Sequence, residues 1–295
     1  MIAFRSHLED NLFSIRDQLR DGTYTHDEYH AFAVNDPKRR EIHKSTVKDR
    51  VVHQALVNVI EPLFERRFVL DSYACRVGKG THAGVRRLQD VLARVSRNNA
   101  RQAWVLKCDV AKFFASVDQA RLLEIVGKVV RDEGVMRLCR TIVESFESVP
   151  GRGIPLGNLT SQLLANVYLN EVDQFAKHTL KCRHYLRYCD DFVFVDADRS
   201  RLEECLVAVR SFLADDLGLS LHPRKVTIQP FRRGVDFLGY VIFPFGIVPR
   251  TKTLRRAEDR LTVSNRPSYF GYLSHAKSCE VRKSLENWLW MFGKT

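Results

Sequence analysis

Apolar positions at helical spacing alternate along this chain with short runs of strand formers. From Arg5 to about Leu19 the pattern SHLEDNLFSIRDQL predicts a helix, and DGTYTHDEYHAFAVND then breaks into turn residues and short strands. Ser45 to Phe68 is strongly periodic, with Val51, Val52, Ala55, Leu56, Val59 and Ile60 on one apolar side, and predicts a helix packed on the core. After the glycine-bearing loop RVGKGTH, residues 83 to 97 predict an amphipathic helix with Arg86, Arg87 and Arg94 on its polar face.

Trp104 to Val110, WVLKCDV, is rich in strand formers and precedes Phe113 and Phe114, so it predicts a buried strand with Asp109 at its end. The runs HYLRY (184 to 188) and FVFVD (192 to 196) flank Cys189, Asp190 and Asp191, the layout of a β-hairpin with acidic residues at its tip. Helices are expected at about 118 to 131, 135 to 147, 158 to 178 and 199 to 216. Strands and helices mix without regular βαβ alternation, which predicts an α+β fold with helices on one face of the sheet. The stretch FPFGIVP marks a boundary, beyond which Arg250, Lys252, Arg255, Arg256 and Arg260 lie on a basic helical segment.

Composition narrows the picture. With 295 residues, 45% of them hydrophobic, the chain can bury a large core, and one body with subdomains is expected. Its net charge of +12 favours a polyanionic partner, nucleic acid first, although charge alone also suits a basic protein with no such partner. The longest apolar runs are too short to span a membrane and the start MIAFRSHLED lacks a secretory apolar stretch, so a cytoplasmic protein is expected. Seven scattered cysteines with no C-x-x-C pair read as reduced thiols rather than zinc ligands.

Two aspartates in a turn usually just face solvent. Here apolar strands on both sides bury the hairpin, and like charges held together in a sheet are costly unless a cation neutralises them. Asp109 repeats the theme on another strand. Three carboxylates on adjacent strand ends can hold two magnesium ions roughly 3.5–4 Å apart, an arrangement suited to phosphoryl transfer.

Nearly the whole chain resembles the reverse transcriptases. Asp109-Val110-Ala111-Lys112-Phe113-Phe114 resembles their first catalytic motif, and Tyr188-Cys189-Asp190-Asp191 their Y-x-D-D box, in matching order and separation. The resemblance implies a right-hand polymerase: fingers over 1–100, a palm with inserted fingers helices over 101–245 and an antiparallel sheet covered by helices, and a short basic helical thumb over 246–295. It implies Asp109, Asp190 and Asp191 as catalytic residues, the same three with Val110 as the site of two Mg2+ ions, and Asp191 as the third carboxylate. Nucleotide contacts are implied for Lys38, Arg40, Phe114, Leu156 and Gly157. At Phe114 an aromatic ring would clash with a ribose 2′-hydroxyl and favour deoxynucleotides. Contacts to template, primer or hybrid are implied for Arg50, Arg76, Lys79, Gln162, Lys225, Gly239 and Tyr269.

One motif departs from the family pattern. In Ile154-Pro155-Leu156-Gly157-Asn158-Leu159-Thr160-Ser161-Gln162, Leu156 stands where most relatives have Gln and Gln162 where they have Pro. In this form the motif resembles reverse transcriptases of diversity-generating retroelements, which copy a template-repeat RNA with errors concentrated at adenines. Loss of a discriminating hydrogen bond, worth a few kcal/mol, makes lower fidelity physically reasonable. The resemblance also implies deoxynucleoside triphosphates and an RNA template as partners, with a small basic accessory variability protein that forms a pentamer. Two alternatives stay open: an antiviral, retron-like or group II intron-like reverse transcriptase, and a non-catalytic RNA-binding scaffold, which would be expected to lose a carboxylate.

Overall fold

The computed structural model describes residues 2–35, 39–262 and 264–275. The chain opens with α1 (Ile2–Arg5) and α2 (Leu8–Asp21), followed by the hairpin of β1 (His30–Asn35) and β2 (Arg39–Lys44). Next come α3 (Val47–Glu65) and α4 (Thr81–Val95). The central stretch runs β3 (Trp104–Asp109), α5 (Phe113–Ser116), α6 (Gln119–Gly127), α7 (Glu133–Glu144) and α8 (Leu159–Gln174), the last continuing into a π-helical turn. Then follow β4 (Tyr185–Tyr188), β5 (Asp191–Asp196), α9 (Arg199–Asp215) and β6 (Thr227–Pro230). The described chain closes with β7 (Val235–Phe237), β8 (Tyr240–Phe243), β9 (Gly246–Pro249), α10 (Thr251–Arg260) and α11 (Arg266–Leu273).

The central sheet is antiparallel, in the order β4-β5-β3-β6. Period-two alternation gives its strands two apolar faces. Leu106, Cys108, Tyr185, Phe192 and Phe194 pack on the helices, against residues such as Val52 and Ile60 of α3, Leu122 of α6, Tyr168 of α8 and Val209 of α9. Val105, Leu186, Val193 and Val195 point the other way, onto Leu88 and Leu92 of α4 and onto Phe237 and Ile242 of the small β7-β8-β9 sheet. Burying each such Leu or Phe contributes about 1.5–3 kcal/mol. The sheet is therefore covered on both faces, by helices on one and by a helix plus a second sheet on the other, which corrects the one-faced expectation.

Helix α8 sits in the middle and is buried nearly all round, including the polar Asn166 and Asp173. Side-chain caps start several helices, with Thr46, Asp118, Asp132 and Asp198 accepting from the first turns of α3, α6, α7 and α9. FPFGIVP itself forms a hairpin: Tyr240–Phe243 pairs with Gly246–Pro249, so the C-terminal helices begin only after Pro249. Among the described residues, no helix is long and apolar enough to cross a membrane.

Candidate active site

Strand register brings the three aspartates together. Asp109, last residue of β3, is the cross-strand partner of Asp191, first residue of β5, and Asp191 also pairs with Tyr188 on β4. The turn between β4 and β5 is therefore only Cys189 and Asp190, and Asp191 belongs to the strand rather than the tip. The turn closes with Cys189 in the left-handed region (φ 54°) and with the Val110 N–H donating to the Asp190 carbonyl at 3.2 Å. Val110 thus lies directly beneath the acidic turn.

These carboxylates line a cleft of about 560 Å3, together with Arg40, Phe114 and Leu156. Lys112, Cys189 and Leu238, all with positive φ, line it too. A non-glycine residue held there costs of order 1–3 kcal/mol, and such residues cluster at working sites. A second cleft of about 530 Å3 shares Arg40, Asp109, Asp191 and Lys225 and runs under β7 past Lys107 and Arg250.

The electrostatics are unbalanced. Burial raises the pKa of Asp190 above the carboxylate norm, and the neighbouring Asp109 and Asp191 push it the same way. Burial likewise raises Asp191, against the pull of Lys107. Lys107 Nζ lies 3.4 Å from Asp191 Oδ1, yet that buried oxygen has no hydrogen-bond donor. Arg250 Nε, on the same second cleft, is the other buried side-chain atom without a partner among the described residues. Asp109, by contrast, is spanned by Lys225, whose Nζ donates to both carboxylate oxygens at 2.6 and 2.7 Å.

In type these residues fit a hard divalent cation: oxygen donors only, like charges crowded together, and one buried oxygen left without a donor. They are not drawn tightly around one point, since no three His, Cys, Asp or Glu side chains among the described residues are gathered closely enough for a metal site. With Lys225 across Asp109, closing the set requires that ammonium to give way.

The other expected residues fall into two groups. Arg40, Phe114 and Leu156 join the cleft. Gly157 has φ 106°, and a Cβ there would lie 2.6 Å from Ile42 Cγ2, so only glycine lets β2 approach. That seam is sealed by the His43 N–H donating to the Leu156 carbonyl and by Asn158 bonding the His43 carbonyl and the Ser45 hydroxyl. Gly239 turns β7 into β8, and its carbonyl accepts from the Arg250 N–H and the Tyr272 hydroxyl. Lys225 contacts Asp109 rather than standing free for nucleic acid.

Arg76 and Lys79 are not free cations. The Arg76 guanidinium binds Glu65 and the carbonyls of Val69 and Ser72, and Lys79 Nζ donates to the Leu70 carbonyl. Arg50 leans on the Thr46 carbonyl. Gln162 is exposed on the first turn of α8, and Tyr269 packs in a small cluster with Ala257, Leu261 and Leu273. Lys38 lies outside the described residues. Sequence reasoning missed Lys107, which alternation from Asp109 could have placed on the same sheet face, and Arg187, an arginine inside the apolar run HYLRY.

A profile of the family described as "Reverse transcriptase (RNA-dependent DNA polymerase)" matches residues 35–242. Protein YkfC of Escherichia coli is 26% identical over 278 residues, covering 80% of this chain and 72% of that protein. The group II intron-encoded protein LtrA of Lactococcus lactis subsp. cremoris is 24% identical over 176 residues, covering 57% of this chain but only 28% of its own length. Among solved structures, apo telomerase from Candida tropicalis, truncated from its C-terminal domain, superposes with a TM-score of 0.54 at 13% identity, covering 82% of this chain and 60% of that one. That likeness supports the right-hand polymerase fold alone. With the profile spanning well over half the sequence, the chain belongs to the reverse transcriptase family.

Proposed function

We propose that this chain copies RNA into DNA at the cleft of Asp109, Asp190 and Asp191, and that its natural template is a template-repeat RNA copied with errors at adenines. The observation that carries the activity is the pairing of Asp109 with Asp191 next to a half-buried turn bearing Asp190, three carboxylates on one cleft. Asp109, Asp190 and Asp191, with Val110 at the base of the turn, would hold magnesium. When bound, magnesium supplies the positive charge that favours a primer 3′-hydroxyl as nucleophile and offsets charge on the departing pyrophosphate.

The protein's own side chains do the rest. Arg40, on β2, lines the cleft and in this reading would neutralise the incoming triphosphate together with Lys38. The Phe114 ring restricts space for a ribose 2′-hydroxyl. Lys225 Nζ, bonded to both oxygens of Asp109, would have to release that carboxylate before Asp109 could hold magnesium. In this reading residues 1–100 act as fingers, 101–245 as a palm with inserted fingers helices and 246–295 as a short thumb, with Gly239 and Tyr269 contacting nucleic acid.

The subtype rests on Leu156 and Gln162. Leu156 puts an apolar side chain at the cleft where relatives carry an amide, which removes a hydrogen bond able to discriminate at the nascent pair. A pentameric basic accessory protein belongs to this reading. The similarity to YkfC and to the intron-encoded LtrA supports a second one, an intron-like or other bacterial reverse transcriptase acting on a different RNA.

Primer extension on a defined RNA template, with magnesium and deoxynucleotides, tests both levels. Extension by the wild type and none by Asp190→Ala supports the polymerase, and inert wild-type protein, even with accessory protein and cognate RNA, rejects it. Errors piled up opposite adenine, and reduced in Leu156→Gln, support the diversity-generating subtype. An unchanged error spectrum in Leu156→Gln removes it.

A further inference from the structure

Two residues before the acidic turn, a second charged group is built in the opposite way. The Arg187 side chain on β4 is completely buried, and each of its five guanidinium N–H groups has an acceptor. Nε and Nη2 donate to the two oxygens of Asp173 on α8, each at 2.7 Å. Nη2 also donates to Ser72 Oγ at 3.1 Å, and Nη1 to Asn166 Oδ1 at 3.0 Å. The fifth bond, from Nη1, goes to the carbonyl of Cys189 at 3.2 Å. The Tyr185 hydroxyl completes Asp173 at 2.7 Å.

A buried ion pair is a poor way to gain stability, because apolar residues of similar volume often do as well or better. What apolar residues cannot do is hold a carbonyl. Cys189 is the first residue of the turn, its backbone is left-handed, and its carbonyl belongs to the peptide that leads into Asp190. The backbone of Arg187 is itself clamped, its N–H donating to the Asp71 carbonyl and its own carbonyl accepting from the Tyr73 N–H, both at 2.9 Å. The carbonyl of Cys189 is thereby tied through one rigid planar fork to α8 and to the segment at Asp71–Tyr73.

We propose that Arg187 is a positioning residue for Asp190: its guanidinium, locked by Asp173, fixes the Cys189–Asp190 peptide and so aims the Asp190 carboxylate. The inference rests on the reading of Asp190 as a metal-binding carboxylate. Arg187 touches neither substrate nor metal.

The test uses the full chain and two variants. Arg187→Lys keeps the charge but loses the fork. The triple variant Tyr185→Phe, Asp173→Leu, Arg187→Met replaces the ionic group with an apolar one of similar size and keeps the proposal testable if the lysine variant fails to fold. Thermal unfolding reports folding, Mn2+ binding is read by electron paramagnetic resonance without substrate, and kcat and KM for a deoxynucleotide are measured on the folded fraction. Partners that orient a metal ligand typically matter 10–100-fold, so a folded variant should bind Mn2+ about 10–100-fold more weakly and lose kcat to a similar extent, with KM shifted by no more than about twofold. A folded variant with wild-type Mn2+ affinity and kcat overturns the proposal, as does failure of both variants to fold, which would make Arg187 a folding residue only. Wild-type protein that neither binds Mn2+ nor extends a primer would instead defeat the active-site reading itself.

Discussion

The Arg187–Asp173 group and the Asp109–Asp190–Asp191 group share one hairpin, yet they treat charge in opposite ways. In the first, a fully buried cation has every donor paired, two of them with one carboxylate. In the second, a buried and two half-buried carboxylates crowd one another, Asp191 Oδ1 lacks a hydrogen bond although Lys107 lies 3.4 Å away, and the cation on Asp109 is a lysine whose side chain is 40% exposed. A sheet that satisfies a buried charge this completely at residue 187 leaves Asp191 Oδ1 without a well-aligned hydrogen bond, with only the Lys107 ammonium 3.4 Å away. The physical reading is that the second group is completed by something from outside, and a divalent cation with a phosphate chain supplies both the charge and the geometry.

Breaking the satisfied group should have the largest effect on stability. Asp173→Ala leaves Arg187 charged and unpaired in the core, and loss of one partner of a buried pair costs about 3–5 kcal/mol. Denaturant unfolding of the variant checks this, and a loss below about 1 kcal/mol would mean that water or another acceptor reaches Arg187.

The seam that presents the cleft to the fingers hairpin comes next. Gly157→Ala combines a left-handed φ of 106° with a contact of 2.6 Å to Ile42, and overpacking of this kind costs about 1–3 kcal/mol. Thermal unfolding with nucleotide incorporation should show both falling together. Full activity in that variant would show that β2 need not sit so close.

The smallest effect has the opposite sign. A carboxyl whose folded pKa is raised stabilises the fold fully below its unfolded pKa, about 4, and loses that contribution as pH rises through the folded value. In metal-free protein, Asp190→Asn should therefore be neutral or slightly destabilising near pH 4 and more stable than the wild type by about 0.5–2 kcal/mol at neutral pH, as when a strained site is relieved. His53, pushed down to about 4 by burial, works in the other direction, so the difference between variant and wild type is the informative curve. Equal stability at neutral pH would mean that the acidic turn carries no strain.

Much of this was legible in the residues because period-two alternation and the turn after Tyr188 leave little freedom: apolar runs on both sides of Cys189-Asp190-Asp191 set the hairpin, and WVLKCD set the strand beside it. What escaped was pairing at a distance. Nothing near Arg76 announces that Glu65 will neutralise it, and nothing near Lys225 announces Asp109, 116 residues away. Arg187 looked like one polar residue in a strand because its five acceptors come from three separate parts of the chain: α8, Ser72 and the turn at Cys189. The strand β9 was hidden by the proline and glycine of FPFGIVP, which suit a subdomain boundary and a tight hairpin equally well.

The most direct measurement is single-turnover incorporation of one deoxynucleotide on an RNA template, comparing wild type with Asp190→Asn, a change that keeps the shape of the side chain. The account predicts rapid magnesium-dependent incorporation by the wild type and a loss of at least about 100-fold in the variant, the scale of removing one group that stabilises developing charge. Comparable rates in the two proteins would contradict it.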